Sequence, residues 1–296
     1  MILRPQLKEL SRDKIDDDLW NETVRKSTYS KIFGYAWYLD AITDKSWSAL
    51  VFGDYEMILA ICVRSKYKIK YVTQPYLCQA MGIYGTNLPS QEQLNLFIDY
   101  FKKNFYKTDI FVNELFFPNA DLIRRVNHSL PLDHSYDNIR QNFSTNTIRN
   151  LKNAAKYPHT IDENTDIESF ISFVSQHDKS DVLKGITQKI HNLIQACQQN
   201  AVGKIITART DDQIMSTVFL AEDDNRIYTL IMVSNEAGLH QKSMFFLLDH
   251  IIQQYAGSGK KLDFFGSNIP NIARRNEGFG ASPEVYYHLK CRWKMF

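Results

Sequence analysis

The side chains best suited to chemistry are concentrated between residues 261 and 287. Residues 262–265 read as a buried strand carrying Asp263 near its end. Gly266 follows, where the backbone can turn or approach a ligand closely. Ser267 and Asn268 can cap the next helical turn, and that turn presents Arg274 and Arg275. A strand end, a glycine and paired arginines are the parts of a clamp for phosphate or carboxylate. The competing reading is an ordinary turn with surface arginines. Gly278 and Gly280 flank Phe279 and allow a second close approach, so Phe279 and Tyr286 are expected to shape the wall of such a site.

Other candidate groups lie upstream. Ser144 to Asn146 can cap a helix over residues 147–156, on which Arg149, Lys152 and Lys156 form one stripe. Arg149 and Lys152 are expected to contact phosphate, against the alternative of a solvated helix face. Lys66, Lys68 and Lys70 alternate with Tyr67, Ile69 and Tyr71. On one continuous strand the three lysines face one side, either for an anionic partner or to guard a sheet edge. Gln74 and Gln79 could orient an acceptor or could simply bond the backbone. The eight histidines show no metal-ligand spacing. His240 and His288 are read as bystanders, although either could act as a base.

What is missing narrows the chemistry. The chain has no G-x-S-x-G elbow, no H-E-x-x-H and no G-x-x-x-x-G-K-[ST] motif. Cys62, Cys78, Cys197 and Cys291 form no C-x-x-C pair, which argues against zinc or a disulfide framework. The net charge is only +2, so no global field demands nucleic acid or a membrane. At 44% hydrophobic the chain can bury a large core, and its 296 residues suggest about two domains. No apolar run reaches membrane-span length, and the first residues lack a signal-peptide layout, so a cytoplasmic protein is expected.

The elements that must position these residues recur in order. In the first half, helices at 16–26 and 35–42 precede strands at 48–52, 57–63 and 76–84, a helix to about 105 and a strand at 109–117. In the second half, helices at 167–176 and 184–199 precede strands at 204–209, 214–221 and 226–233, a helix at 239–256 and a strand at 261–265. Leu96 matches Leu247 and Ile110 matches Leu262, a shift of about 150 residues. Short turns followed by one crossover predict a mixed α/β sheet, antiparallel first and parallel at the crossover. Two domains are expected, 1–143 and 144–296, packed around a cleft.

This order resembles the GNAT acyltransferase fold. The tail, Lys261-Leu262-Asp263-Phe264-Phe265-Gly266-Ser267-Asn268-Ile269-Pro270 through Arg274-Arg275 to Tyr286-Tyr287-His288-Leu289, resembles the closing segment of FemABX-like proteins. The run from Phe143 to Ala154 resembles that family's inter-domain helix. Those proteins are tandem GNAT-fold acyl- or aminoacyltransferases whose best-known members build peptidoglycan cross-bridges from aminoacyl-tRNA.

The resemblance implies transfer of an acyl or aminoacyl group onto an amine of a small or cell-wall-precursor-like acceptor. Acyl-CoA or aminoacyl-tRNA is the implied donor, and tRNA an implied partner. It singles out no catalytic residue. Many relatives carry an aromatic residue followed by Lys or Tyr where Arg275 and Asn276 stand, and Arg is not equivalent to Lys at a geometric site. Neither candidate donor turn, residues 84–89 or 234–241, keeps an R-x-x-G-x-G/A pattern, and Glu236 places negative charge where a pyrophosphate would sit. A conventional acyl-CoA N-acetyltransferase and a non-catalytic ligand-binding descendant are the alternatives.

Overall fold

A computed structural model describes residues 6–113, 122–179 and 182–292. The elements run β1 (Leu7–Ser11), α1 (Asp17–Lys26), α2 (Ala36–Thr43), β2 (Ser48–Phe52), β3 (Met57–Ile61), β4 (Val63–Lys66), β5 (Ile69–Thr73), β6 (Tyr84–Gly85), α3 (Gln91–Asn104) and β7 (Lys107–Val112). Then follow β8 (Leu122–Pro131), α4 (Tyr136–Gln141), α5 (Thr145–Ala154), β9 (Thr160–Asp162), α6 (Ile167–His177), α7 (Thr187–Gln199), β10 (Gly203–Thr210), β11 (Gln213–Glu222) and β12 (Arg226–Ser234). The chain ends with α8 (Glu236–Gln241), α9 (Ser243–Tyr255), β13 (Lys261–Asp263), α10 (Pro270–Gly278) and β14 (Ser282–Arg292). No helix among the described residues is long and apolar enough to cross a membrane.

Two compact units result, one from Met1–Arg125 with Val285–Phe296, the other from Val126–Glu284. The division falls at 125/126 rather than at 143/144, and the chain returns to the first unit at its end. Strand pairing is the cause. Tyr287–Arg292 pairs antiparallel with β7, and Leu289 lies in the first unit's core. Ser129–Pro131 pairs instead with β13 in the second unit.

The first unit keeps the expected helices and hairpin. Asp16 caps α1, accepting from the Asp18 and Leu19 amides, and β2 and β3 pair antiparallel. Ser90 and Gln93 form a capping box that starts α3. One apolar face of α3, Leu94, Phe97 and Phe101, packs on Leu50, Leu59, Ile110 and Val112.

The expected strand at 76–84 is not one strand. Pro75 has no amide to donate, Leu77 has φ +61°, and only Tyr84–Gly85 is extended and paired with β3. In its place β4 and β5 form a hairpin, and β5 runs parallel to β7. The hairpin turn falls at Tyr67–Lys68, so Lys66 pairs with Ile69 and Lys70 with Ser65. Lys66 and Lys70 therefore face opposite sides, not one side as an unbroken strand would require. The expected strand at 109–117 is β7, starting at Lys107; residues 114–117 lie outside the described residues.

The second unit follows the expected order closely. Its strands lie as β8-β13-β12-β11-β10-β9. β10, β11 and β12 pair antiparallel, and β12 pairs parallel with β13, as a crossover through α8 and α9 requires. The core joins Ile206, Val218, Leu220, Ile227 and Leu262 of the sheet to Leu247, Leu248, Ile251 and Ile252 of α9. The single helix expected at 239–256 is two helices. Lys242, at φ +61°, separates them, and the Ser243 hydroxyl donates to the Gly238 carbonyl. Close packing imposes the break: a Cβ on Gly238 would lie 2.1 Å from the Met215 carbonyl oxygen.

Candidate functional site

In the second unit two neighbouring strands have unequal lengths. β12 has nine residues and β13 three, and the two pair only over Arg226–Tyr228. Beyond Tyr228 the β13 side of β12 has no strand partner among the described residues. Leu230–Ser234 thus extends past the end of β13, while β11 takes the opposite edge.

A cavity of about 270 Å³ opens beside this edge. Its walls are Met232 and Ser234 of β12, Leu239 of α8, Lys242 of the break, Phe245 of α9 and Arg275 of α10. The lining is largely apolar, with two half-buried cations, Lys242 and Arg275. Ser234 shares a 2.6 Å hydrogen bond with Ser216, which shares one of 2.5 Å with Ser243. This hydroxyl chain fixes the floor of the cavity against the break between α8 and α9.

Arg275 is the central group. Among the described residues no carboxylate pairs with it. Its Nε and Nη2 donate to Asn276 Oδ1 at 3.2 and 3.1 Å, and Nη2 also lies 3.6 Å from Met232 Sδ. Burial lowers its pKa to about 10, so it remains charged at neutral pH but poorly solvated. A buried cation without a counter-ion favours an incoming anionic or strongly dipolar oxygen. Asn276 is itself fully buried and donates through Nδ2 to Ser267 Oγ at 3.1 Å. Ser267 thus serves the cavity indirectly, by fixing the amide that holds Arg275. The helix beneath is anchored at Gly278, where a Cβ would lie 2.5 Å from Thr147 Oγ1 on α5.

The other expected site residues are placed elsewhere. Asp263 is fully buried and does not line this cavity: it accepts from Asn127 Nδ2 at 2.6 Å and lies 3.4 Å from Arg226 Nη1. Arg226 also grips Glu284 through two bonds of 2.8 and 3.0 Å, and Ser129 donates to Glu284 at 2.8 Å. Burial works against the Arg226 charge, but Glu284 and Asp263 overcome it and raise its pKa. The carboxylate at the strand end is therefore part of an internal ion cluster, which residue type alone could not distinguish from a ligand contact.

Phe279 is a core residue rather than a wall, fully buried against Phe143, Phe245 and Phe264. Gly266 takes φ +74° and follows Phe265 at +47°, so glycine here serves a left-handed turn out of β13. Arg274 is exposed. Arg149 and Lys152 are exposed on α5, and Arg149 donates to Asn146 Oδ1 at 2.6 Å.

In the first unit, Gln74 bridges backbone groups, donating to the Cys78 carbonyl at 2.8 Å and accepting from the Phe111 amide at 3.0 Å. Gln79 is half-buried, and Tyr286 packs edge-on against Phe111 at 5.7 Å. His288 bonds Asp109 at 2.7 Å.

Of the expected set, then, the cavity takes Arg275 directly and Ser267 through Asn276. Sequence reading weighed the turn from Ser234, with Lys242, only as a pyrophosphate site, and it missed Met232 and the role of Asn276. The available signal was the polar run Ser234-Asn235 ending an apolar strand, followed by Gly238. Among the described residues no group of His, Cys, Asp and Glu could hold a metal ion. Cys62, Cys78, Cys197 and Cys291 are all free thiols.

Residues 140–270 match the family model of the acetyltransferase (GNAT) domain. The fold matches the crystal structure of FemX, with TM-score 0.64 and 11% identity over 95% of this chain and 97% of that one. It matches a tandem GNAT protein from the clavulanic acid biosynthesis pathway, with TM-score 0.57 and 9% identity over 98% and 100%. L-PGS from Bacillus licheniformis gives TM-score 0.54 and 8% identity over 95% and 93%. No curated protein matches the sequence. Residues 140–270 thus match a GNAT domain, and the fold of the chain is that of GNAT proteins.

Proposed function

We propose that this protein transfers an acyl or aminoacyl group onto an amine, with the donor's reactive end held in the Arg275 cavity. The observation that carries the reading is a half-buried guanidinium with no carboxylate partner among the described residues, set beside the stretch of β12 that extends past β13. Acyl transfer requires alignment of the reactants, stabilisation of the carbonyl oxygen and loss of a proton from the amine. The open backbone edge supplies donors for a developing oxyanion. Arg275 supplies charge for an anionic part of the donor. The apolar walls exclude water around the carbonyl. The acceptor is a small amine or a cell-wall-precursor-like amine.

A conventional acyl-CoA reading is favoured by the domain match over residues 140–270. The start of α8 weighs against it. Asn235 Oδ1 already accepts from the Gly238 amide at 2.6 Å, and Glu236 is exposed in that first turn. A pyrophosphate would meet an occupied amide and a like charge there.

Mass spectrometry of small molecules that co-purify with the protein tests the proposal. An acyl- or aminoacyl-bearing anion should be found, and Arg275→Ala should lose it. Ligand retention and unchanged turnover in Arg275→Ala would overturn the site assignment. Thermal stabilisation by free CoA would favour the conventional reading. A bound ligand with no product from any donor pool would point to a binding protein.

A further inference from the structure

The β4–β5 hairpin of the first unit has no role in the proposed chemistry. Residues 64–70 are all exposed, and residues 63–73 contain no Asp or Glu. Tyr67 forms the tip at 88% exposure, and Ile69 is 40% exposed beside it. Arg64, Lys66, Lys68 and Lys70 surround the tip. None has a carboxylate partner among the described residues, since nearby Asp99 and Asp109 pair with Lys102 and Lys107. The register places Arg64 opposite Tyr71, Tyr71 opposite Lys107, and Lys107 opposite Arg292. Lys107 in this row is paired with Asp109, so the uncompensated charge lies at the hairpin itself.

The turn carries a second signal. Tyr67 and Lys68 have φ of +51° and +65°, a two-residue turn that normally uses Asn-Gly. Two bulky L-residues hold a conformation that disfavours them, and the result is an aromatic ring at the apex flanked by ammonium groups. Lys66 Nζ lies 5.5 Å from the Tyr67 ring centre.

We propose that this hairpin docks the protein on an anionic lipid bilayer, with Tyr67 and Ile69 entering the headgroup region and the surrounding cations meeting lipid phosphates. Aromatic and aliphatic side chains ringed by Lys and Arg match the polarity gradient of that interface. Each cation near an anionic surface strengthens attachment by a factor of about five, so four cations and two apolar side chains suffice for reversible binding. A nucleic acid fits less well: bases stack on ring faces in a groove, whereas this ring stands on a convex turn with a cation against one side.

The test is co-sedimentation of the full chain with vesicles of phosphatidylcholine alone, or of phosphatidylcholine and phosphatidylglycerol in equal parts. Binding should favour the mixed vesicles at least about tenfold and weaken as salt rises. Lys68→Glu with Lys70→Glu should remove at least about tenfold of that binding. Tyr67→Asn with Lys68→Gly suits the turn geometry, so it should keep or raise the melting temperature while weakening attachment. Equal binding to both vesicle types, no loss on charge reversal, or tighter binding to an RNA oligomer than to the mixed vesicles would overturn the proposal.

Discussion

Arg275 donates two hydrogen bonds to Asn276, the next residue in the chain, whose Oδ1 accepts from both Nε and Nη2. A neutral amide thus aims the guanidinium without cancelling its charge. This arrangement separates a binding cation from a structural one, and Arg226, gripped by two carboxylates, is the contrasting case in the same unit.

Asn276→Asp should close the site by supplying an internal counter-ion about 3 Å away. Binding of an anionic ligand should fall by at least about tenfold, roughly 1.4 kcal/mol. Urea denaturation should show stability unchanged or raised. Titration calorimetry with the co-purifying ligand checks the first expectation; undiminished affinity would contradict it.

Arg226→Met should destabilise the second unit by about 3–5 kcal/mol, because it leaves Asp263 and Glu284 close together without their shared cation. Denaturant midpoints measure this. A loss below about 1 kcal/mol would mean that the cluster contributes little.

Gly238→Ala should cost about 1–3 kcal/mol and disturb the cavity, since the new methyl would meet the Met215 carbonyl and Ser243 Oγ. Thermal melts should show the loss, and ligand binding should fall with it. Substitution at Gly185, where nothing lies within 4 Å of an added Cβ and the backbone is not left-handed, provides a packing control.

Asp249 yields a pH prediction. Burial raises its pKa, and the Tyr136 hydroxyl, donating at 2.7 Å, offsets only part of the effect. A raised folded-state value favours the protonated form on folding. The stability from this group is therefore present below the ordinary aspartate pKa of about 4 and lost as pH rises through the higher folded value. Asp249→Asn resembles the protonated form. It should be more stable than the parent at neutral pH and match it near pH 3. Parallel urea titrations at the two pH values would reveal any other pattern.

Much of the second unit was legible because its signals agree. Alternation in 204–209 and 214–221 is broken by Asp211-Asp212, and Asp223-Asp224-Asn225 marks the next turn. The first unit misled where turn chemistry is atypical. Tyr67-Lys68 carries no sequence sign of a turn, so two short strands read as one run of alternating lysines. Apolar character at 76–84 suggested a strand, although Pro75 and the left-handed Leu77 prevent one. For the site, residue type found Arg275 but could not separate it from Asp263, because burial and pairing decide their roles. Met232 escaped notice, and Ser234 and Lys242 were read only as parts of a pyrophosphate turn, because each acquires its place from the backbone path, not from its own chemistry.

The three-residue β13 beside the nine-residue β12 has a kinetic consequence. Sheet geometry itself creates the opening, so no hinge has to swing and no segment has to fold before a molecule can enter. Entry should then be governed by diffusion and desolvation, and selectivity should reside mainly in how slowly the right molecule leaves.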